Sequence, residues 1–322
     1  MTALPLRSPL SVAATEPDAR PARPVPVHPA LMALMSTVPV QAFVGPRGTL
    51  VHMYTSGSGT PVLAVHGSGL QGQSWRGLQS SLGEDFRLHA PDLYGYGQSE
   101  ALPMPQRMTL DDNAGLIGAL LRRFDRPVHL LGHAFGAAVA LRAALEHPDR
   151  IQSMALYEPL ALHLLKPEHG GHAPAQRQME SLAGDMRVAC LRGDTAEAAR
   201  LFYDHCHGRD AFNQLPVARW KLLQTQAPRL CLDIGMAFQA RQSLPAYRGL
   251  RMPVLLLSGT RSSGLLRLIA ERLAGVLPAV RHAILPELGH LAPASHPEAV
   301  ARVVAPFLRA CERTAPPQRA CA

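Results

Sequence analysis

The chain has 322 residues, 47% hydrophobic and 17% charged, which excludes a disordered protein and suits a folded chain of enzyme size. Its formal net charge of +8 comes mostly from arginines that are scattered rather than clustered, so we expect no nucleic-acid partner. No stretch approaches about 18 uninterrupted apolar residues and no secretory signal opens the sequence, so we expect a cytoplasmic protein without a membrane partner.

The first predicted elements follow an N-terminal arm. Residues 1–38 are rich in proline and small residues, which is typical of a flexible arm. Two short β-stretches around a Gly-Pro-Arg-Gly turn then predict a hairpin, Val40–Val44 with Leu50–Tyr54. Apolar runs that alternate with amphipathic stretches predict strands at Pro61–Val65, Phe86–Ala90, Pro127–Leu131 and Ile151–Tyr157, and helices at Ser74–Leu82, Asp111–Phe124 and Ala134–Glu146.

This alternation breaks between residues 159 and 246, where the sequence predicts no strand but several helices, such as Ala196–His205 and Val217–Thr225. It resumes with strands at Pro253–Ser258 and Arg281–Leu285, and with helices at Leu265–Leu277 and Pro297–Cys311. Strands that alternate with helices form parallel sheets covered on both faces. We therefore predict an α/β fold with a mostly parallel central sheet flanked by helices, formed by residues 39–158 and 247–312, with a helical insertion at 159–246 and a frayed tail at 313–322.

The cysteines are odd in number and include no Cys-x-x-Cys pair: Cys190, Cys206, Cys231, Cys311 and Cys321. We expect buried or incidental free thiols rather than disulfides or zinc ligands. The run at 204–207, Asp-His-Cys-His, offers four side chains that can bind metals. Because consecutive helical residues point in different directions, we expect a structural or surface role for this run and no metal site.

The turn at residues 132–136, Gly-His-Ala-Phe-Gly, is the most informative segment. It has the G-x-S-x-G spacing of a nucleophile elbow, with Ala134 where the serine belongs. The two glycines fit this interpretation because strand and helix approach closely around a strained central residue. For this segment alone, the alternative is an ordinary strand-to-helix turn with two coincidental glycines.

Three further segments resemble loops of the α/β-hydrolase superfamily. Residues 66–69, His-Gly-Ser-Gly, resemble its oxyanion loop, residues 91–99 its Asp-x-x-Gly-x-Gly-x-Ser loop, and residues 288–293 the loop with its catalytic histidine. They occur in family order with the elbow, and the helical insertion lies where the family has its lid. The resemblance spans roughly residues 40–312 and implies the α/β-hydrolase fold, with 159–246 as the lid.

The resemblance also implies roles for individual residues. His290 is the expected general base, since an imidazole can take and return a proton near neutral pH. The oxyanion hole is expected from the backbone N–H groups of Phe135 and Ser68, which do not depend on the side chain at 134. His66 is expected to brace its loop rather than to act in catalysis.

The substrate is expected to contact the oxyanion loop and the lid. Gly67, Gly69 and Trp75 are candidate substrate contacts, although packing is at least an equal expectation for Trp75. The predicted lid is rich in Leu, Met and aromatic side chains, which would suit a small apolar or aromatic substrate rather than a charged one. The elbow lacks the G-x-G-x-x-G spacing of a phosphate-binding loop, so no cofactor is expected.

The acid that orients the histidine is a second irregularity. The superfamily often places it three residues after the glycine that ends the strand following the lid, where this chain has Ser262. Some branches place it directly after the strand that precedes the lid, where this chain has Glu158. Glu158 is therefore the predicted acid, and its carboxylate would stabilise the cation of His290. The alternatives are that Glu158 pairs with an arginine, or that Asp92 or Glu287 is the acid.

Ala134 removes the attacking oxygen, so no acyl-enzyme can form. The resemblance implies an ancestral ester, acyl or C–C bond hydrolase whose serine-type hydrolysis is lost or crippled by replacement of the serine. One alternative is a natural non-hydrolytic member that uses His290 as a base, like cofactor-free oxygenases or lyases on this fold. The others are a pseudoenzyme that binds a small molecule and a partner-binding protein.

Overall fold

The computed structural model describes residues 40–166 and 172–314. The predicted arm at 1–38 lies outside these residues, and so does the predicted tail beyond residue 314. Within the described ranges, eight strands form one sheet: β1 (Val40–Val44), β2 (Leu50–Gly57), β3 (Thr60–Val65), β4 (Phe86–Pro91), β5 (Val128–His133), β6 (Ile151–Tyr157), β7 (Val254–Gly259) and β8 (Val280–Leu285).

The strands lie in the order β1-β2-β4-β3-β5-β6-β7-β8. β1 and β2 form an antiparallel hairpin, and β2 also pairs antiparallel with β4. All other neighbouring strands, from β4 through β3 and on to β8, are parallel. The predicted mostly parallel sheet is therefore confirmed.

Helices pack around the sheet; they connect the parallel strands, as parallel pairing requires, and the last two follow β8. They are α1 (Arg76–Leu82), α2 (Leu110–Leu121), α3 (Phe135–Glu146), α4 (Ala173–Leu191), α5 (Thr195–His207), α6 (Val217–Gln239), α7 (Gly264–Ala274), α8 (Ala292–Ser295) and α9 (Pro297–Thr314). Helices α4, α5 and α6 all lie between β6 and β7 in the chain, within the segment where the sequence predicts helices but no strand.

Both faces of the sheet are buried. Alternate strand residues point to opposite sides, so Leu63 and Leu130 join an apolar cluster with α2, α3 and α7, whereas Val62 and Leu131 join a second cluster with α1 and α9. Burial on both sides explains why β7 begins with the continuous apolar run Val254–Leu257, whose residues are all buried.

The segments that carry the predicted site residues all follow the carboxyl ends of parallel strands. Ser68 follows β3, Ala134 follows β5, Glu158 follows β6 and His290 follows β8. The next two strands in the chain, β4 and β5, lie on opposite sides of β3. The connections on the two sides of β3 therefore diverge, and a crevice opens at this edge of the sheet. The topology thus brings residues more than 200 positions apart in sequence to one edge, since residues 68 and 290 both lie there.

Helix α6 extends further than the sequence predicted. The prediction ended at Thr225, three residues before Pro228, but the helix continues to Gln239 with the proline inside it. An interior proline removes one backbone hydrogen bond and clashes with the preceding turn. Burial of Leu230 and Ile234 on the following turns stabilises the helix against this penalty.

Cys190, Cys206 and Cys231 carry free thiols. The sulfur atoms of Cys190 and Cys231 lie 3.4 Å apart, without a disulfide bond. No helix in the described ranges has both the length and the apolar character needed to cross a membrane. Among the same residues, no group of three or more His, Cys, Asp or Glu side chains is arranged to hold a metal ion.

Candidate active site

Ala134 lies at the sharp turn between β5 and α3. Its backbone has φ +50° and ψ −115°, a conformation that residues with a Cβ seldom adopt and that costs about 1–3 kcal/mol. Its N–H donates to the carbonyl oxygen of Tyr157 at 2.9 Å, and its own carbonyl accepts the N–H of Leu160 at 3.0 Å. These two hydrogen bonds fix the strained turn against the end of β6.

Gly132 and Gly136 are required by close backbone packing around this turn. A Cβ on Gly136 would lie 2.3 Å from the carbonyl oxygens of Val65 and His66, and one on Gly132 would lie 2.6 Å from the Cα of Ala137. Both distances are too short for any side chain, and the blocking atoms belong to the backbone. The glycine spacing of the motif is therefore a packing requirement of this elbow.

Glu158 directly follows β6 and contacts the ring of His290. Its Oε2 lies 2.6 Å from Nδ1 of His290, and its Oε1 accepts the N–H of Gly259 at 2.7 Å. The side chain of Glu158 is completely buried, and its backbone has φ +47°. Because a buried carboxylate needs such donors, Nδ1–H of His290 is the donor in this contact, and Nε2 is the ring nitrogen left for chemistry.

Two further donors fix the backbone of the His290 loop. Nε2–H of His133 donates to the carbonyl oxygen of His290 at 2.8 Å, and the hydroxyl of Tyr157 donates to that of Gly289 at 2.8 Å. Burial, together with the neighbouring His290, lowers the pKa of His133 well below its ordinary value, so this ring is neutral near pH 7. Residues of β5 and β6 therefore hold the His290 loop in position.

His66 connects the loops that follow β3 and β4. Its Nε2 accepts the N–H of Leu93 at 3.0 Å, which leaves Nδ1–H to donate to the carbonyl oxygen of Gly67 at 2.9 Å. Burial lowers the pKa of His66 to about 4, so the ring is neutral near pH 7. Both ring nitrogens are used in backbone contacts, and the ring braces the two loops.

The side chain of Ser68 is held by the inserted helix α6. Its hydroxyl donates to Oδ2 of Asp233 at 2.6 Å, and the hydroxyl of Tyr96 donates to the same oxygen at 2.7 Å. Asp233 is completely buried, and its other oxygen lies 3.1 Å from Nε of Arg229. This one carboxylate thus joins the insertion to the loops after β3 and β4.

Two backbone amides near Ala134 have no partner within the part of the chain that the structure describes. They are the N–H groups of Ser68 and of Phe135, and Phe135 is the first residue of α3. An N–H group at a helix start also lies at the positive end of the helix dipole. Unpaired amides in such positions suit a developing oxyanion, and neither one depends on the side chain at 134.

Gly67 and Gly69 shape the loop after β3. A Cβ on Gly67 would lie 3.2 Å from that of Ala134, and Gly69 has φ +71° and packs against Leu223 of α6. Residues 67–72, which follow β3, have the G-x-G-x-x-G spacing that the elbow lacks, contrary to the expectation that no such segment follows a strand. The N–H of Gly72, however, donates to the carboxylate of Asp92 at 2.7 Å and is therefore committed to the loop itself.

A cleft lies at this edge of the sheet, and Ser68, Ala134 and His290 line it together. Most of the wall is apolar and comes from the insertion, from α7 and from the His290 loop: Leu160, Met179, Leu182, Phe202, Leu223, Ile234, Leu265, Leu266 and Leu291. The elbow and the histidine therefore share one largely apolar cavity, with Glu158 buried behind the imidazole.

Polar side chains of the insertion also line the cleft. They include His205, Cys206 and His207 at the end of α5, and Arg219 in α6. The rings of His207 and His290 have centroids 6.3 Å apart. Burial lowers the pKa of His207 to about 3 and raises that of Cys206 to about 12, so both groups are neutral near pH 7.

Two sequence interpretations need revision at this point. The run at 204–207 was expected to have a structural or surface role, yet three of its residues line the cleft, because the last turn of α5 faces the cavity. Trp75, a candidate substrate contact, does not line the cleft. It is buried in the apolar cluster that α1 and α9 form on the other face of the sheet, so packing accounts for its position.

Sequence reasoning missed three polar residues that the structure brings to the site. His133 is part of the elbow motif, and its position next to the strained residue 134 was the one feature of the sequence that could have indicated a role in the site. Arg219 and Asp233 lie on the insertion, where no motif marks them. The contact between Asp233 and Ser68 joins residues 165 positions apart, and no local spacing indicates such a pair.

The chain is similar in sequence to known proteins. The model of the Alpha/beta hydrolase family matches residues 62–303. The pimeloyl-[acyl-carrier protein] methyl ester esterase of Aeromonas hydrophila is 28% identical over 256 residues, which cover 78% of this chain and 96% of that protein. The 2-hydroxymuconate semialdehyde hydrolase of Pseudomonas sp. strain CF600 is 32% identical over 116 residues, which cover 34% of this chain and 40% of that protein.

Solved structures show the same fold. A thermophilic esterase from Thermogutta terrifontis superposes with a TM-score of 0.65 at 22% identity, over 85% of this chain and 99% of its own. An esterase from Exiguobacterium antarcticum superposes with a TM-score of 0.68 at 17% identity, over 84% of this chain and 99% of its own. Since the family model spans most of the sequence and the fold agrees, the chain belongs to the alpha/beta hydrolase family.

Proposed function

We propose that this chain is a hydrolase of small ester, acyl or C–C bonded substrates in which Ala134 has replaced the attacking serine, so that serine-type hydrolysis is lost or crippled. The observation that carries the proposal is the 2.6 Å contact between Glu158 and His290, at the cleft that Ala134 also lines. In this proposal His290 is the base, Glu158 is its acid and the amides of Ser68 and Phe135 are the oxyanion donors, so that the site lacks only the attacking oxygen.

With a hydroxyl at position 134, each neighbouring group has a defined task. Nε2 of His290 would take the hydroxyl proton as the oxygen attacks a carbonyl, and would later return it to the leaving group. Glu158 would stabilise the imidazolium through its contact with Nδ1. The amides of Ser68 and Phe135 would donate to the oxyanion of the tetrahedral intermediate.

Without that hydroxyl, the reaction loses its covalent step. In serine hydrolases, removal of the nucleophile lowers kcat by about 10⁶-fold, which corresponds to roughly 8 kcal/mol of barrier. Binding and the oxyanion hole still leave a residual acceleration of about 10³–10⁴ over water. The chain as it stands is therefore expected to bind substrate and to hydrolyse it very slowly.

The helices between β6 and β7, residues 159–246, are proposed to form the lid of this site. Met179 in α4, Phe202 in α5 and Ile234 in α6 contribute apolar surface to the cleft. Such walls favour a small substrate with an apolar or aromatic body. The methyl ester in the name of the Aeromonas relative supports an ester as the bond that is broken.

A second candidate is base chemistry without a nucleophile. His290 would remove a proton from the substrate, and the two amides would stabilise the resulting oxyanion. The observation that favours it is that the Glu158–His290 contact is complete without any oxygen at position 134. A chain of this kind turns over its substrate as it stands and loses that turnover when His290 is replaced.

One assay distinguishes the two candidate functions. Hydrolysis of p-nitrophenyl acetate and p-nitrophenyl butyrate is measured with the wild type, with Ala134→Ser, and with Ala134→Ser combined with His290→Gln. The hydrolase proposal expects Ala134→Ser to exceed the wild type by roughly 10³-fold or more, and expects the second substitution to abolish the gain. An inert Ala134→Ser variant, together with His290-dependent turnover by the wild type of any compound in a lactone and β-diketone panel, would favour base chemistry instead.

A further inference from the structure

Arg219 is a cation in a cleft whose described wall is mostly apolar. It lies in the first turn of α6, is half-buried, and lines the cavity with Ala134 and His290. Within the described residues its guanidinium makes one long hydrogen bond, from Nη2 to the carbonyl oxygen of Gly69 at 3.3 Å. A guanidinium carries five N–H donors, so most of its capacity is unused.

No carboxylate neutralises this arginine among the described residues. The ion pairs in the described ranges engage other arginines, such as Arg142 with Asp111 and Arg229 with Asp233. Among the residues that the structure describes, no aspartate or glutamate lines the cleft, and the carboxylate of Glu158 is already bound by Gly259 and His290. Burial lowers the pKa of Arg219, because a charge in this position has lost part of its hydration.

The surroundings of Arg219 favour one kind of anion. The nearby histidine His207 is neutral near pH 7, since burial lowers its pKa to about 3. Among the described residues that line the cleft, Arg219 is the one arginine, and no lysine accompanies it. A phosphate carries more charge and more acceptor atoms than one arginine can satisfy in an apolar cavity. A carboxylate matches the guanidinium in charge and in geometry, and can accept two parallel hydrogen bonds from it.

We infer that Arg219 anchors a carboxylate of the substrate, so that this cleft takes a small molecule with an apolar body, a free carboxylate at one end and the reacting carbonyl elsewhere. This inference rests on the proposed function for the identity of the reacting group, but not for the binding of the carboxylate. It refines the sequence expectation of an uncharged substrate, because an apolar wall and one unpaired cation together suit an amphiphilic acid.

Binding to the wild-type chain tests this directly, because slow turnover leaves the ester intact during the measurement. Isothermal titration is done with monomethyl adipate, which carries one carboxylate, and with dimethyl adipate, its neutral counterpart. The wild type is expected to bind the monoester at least about tenfold more tightly than the diester, as for a charge-assisted contact. Arg219→Gln should abolish this preference and leave the affinity for the diester within about twofold.

Arg192→Gln is the matched control, because Arg192 is exposed on the same insertion and does not line the cleft. It should keep the wild-type preference. The inference would be overturned if the wild type bound the two esters equally tightly or bound neither of them. It would also be overturned if Arg219→Gln lowered the affinity for both esters by the same factor.

Kinetics in the Ala134→Ser background separates this inference from the proposed function. Arg219→Gln should raise KM for the monoester by about tenfold or more and leave kcat and the diester unchanged, since Arg219 acts in binding. If Ala134→Ser hydrolyses neither ester, the proposed function fails, and the titration still decides whether Arg219 binds the carboxylate.

Discussion

Nδ1 of His290 lies 2.6 Å from Oε2 of Glu158, although the two residues are 132 positions apart in sequence. The contact exists because β6 and β8 both end at the same edge of the parallel sheet, on either side of β7. Glu158 stands directly after β6, and the residue at the more frequent acid position, Ser262, carries no charge. The carboxylate therefore reaches the imidazole from the strand that precedes the insertion.

Glu158→Gln should strongly reduce catalysis in an Ala134→Ser background. An amide cannot stabilise the imidazolium and can favour the wrong tautomer of His290, so kcat should fall by roughly 10⁴-fold with little change in KM. Steady-state kinetics on p-nitrophenyl butyrate checks this. Glu287→Gln is the control, because its side chain is 75% exposed and pairs with Arg261. A fall of similar size for Glu287→Gln, or none for Glu158→Gln, would contradict the assignment.

The sequence was sufficient for the fold because its signals are local. Buried strands such as β7 are continuous apolar runs, and the glycines of the elbow report a packing constraint among neighbouring segments. The pairing of Glu158 with His290 was accessible only through the order of the family motifs, since nothing near either residue indicates the other. The polar residues of the insertion could not be predicted, because tertiary packing of α6 brings Arg219 to the cleft and Asp233 to Ser68, and neither residue follows a motif.

The buried carboxylate of Asp233 should be energetically coupled to Ser68. Its Oδ2 accepts the hydroxyl of Ser68 at 2.6 Å and that of Tyr96 at 2.7 Å, and the carboxylate is completely buried. Removing Asp233 leaves the Ser68 hydroxyl without its acceptor, and removing Ser68 takes away one of the two donors to Oδ2. A double-mutant cycle with Asp233→Asn and Ser68→Ala, measured by urea unfolding, should give a coupling energy of about 1–3 kcal/mol. The same cycle with Ser80→Ala, an exposed serine bonded to its own helix, should give about zero. Additive effects for Ser68 would show that the contact does not contribute to stability.

Gly136→Ala should disrupt the elbow. Its Cβ would lie 2.3 Å from two backbone oxygens that cannot move independently of β3, so we expect a loss of about 3 kcal/mol or more in the free energy of unfolding. Gly115→Ala, in the interior of α2, has open space around the new Cβ and should instead stabilise by about 0.5–1 kcal/mol. Thermal and urea unfolding of both variants and of the wild type gives the change in the free energy of unfolding for each substitution. Equal stability of Gly136→Ala and the wild type would refute the packing explanation for the motif.

The free energy of unfolding should fall in mild acid, because His66 is buried in its neutral form. Its pKa is about 4 in the folded chain, against about 6.5 when unfolded, so the unfolded chain binds the proton first as the pH falls. The stability contributed by neutral His66 is complete above about pH 6.5 and is lost down to about pH 4, at about 1.4 kcal/mol per pH unit. Urea unfolding of the wild type and His66→Gln at about pH 7.5 and 5 should show their stability difference narrowing by about 2 kcal/mol at the lower pH. A difference that stays constant between the two pH values would rule out His66 as a source of acid sensitivity.

Labelling with a fluorophosphonate, followed by intact mass and peptide mapping, tests most directly whether the site lacks only its nucleophile. The Ala134→Ser variant should take up one equivalent of label at residue 134, because the strained backbone presents that side chain to the cleft shared with His290. The wild type, and the Ala134→Ser variant that also carries His290→Gln, should remain unlabelled on the same timescale. A correctly folded Ala134→Ser variant that takes up no label, or a wild type labelled elsewhere in the cleft, would contradict the proposed site.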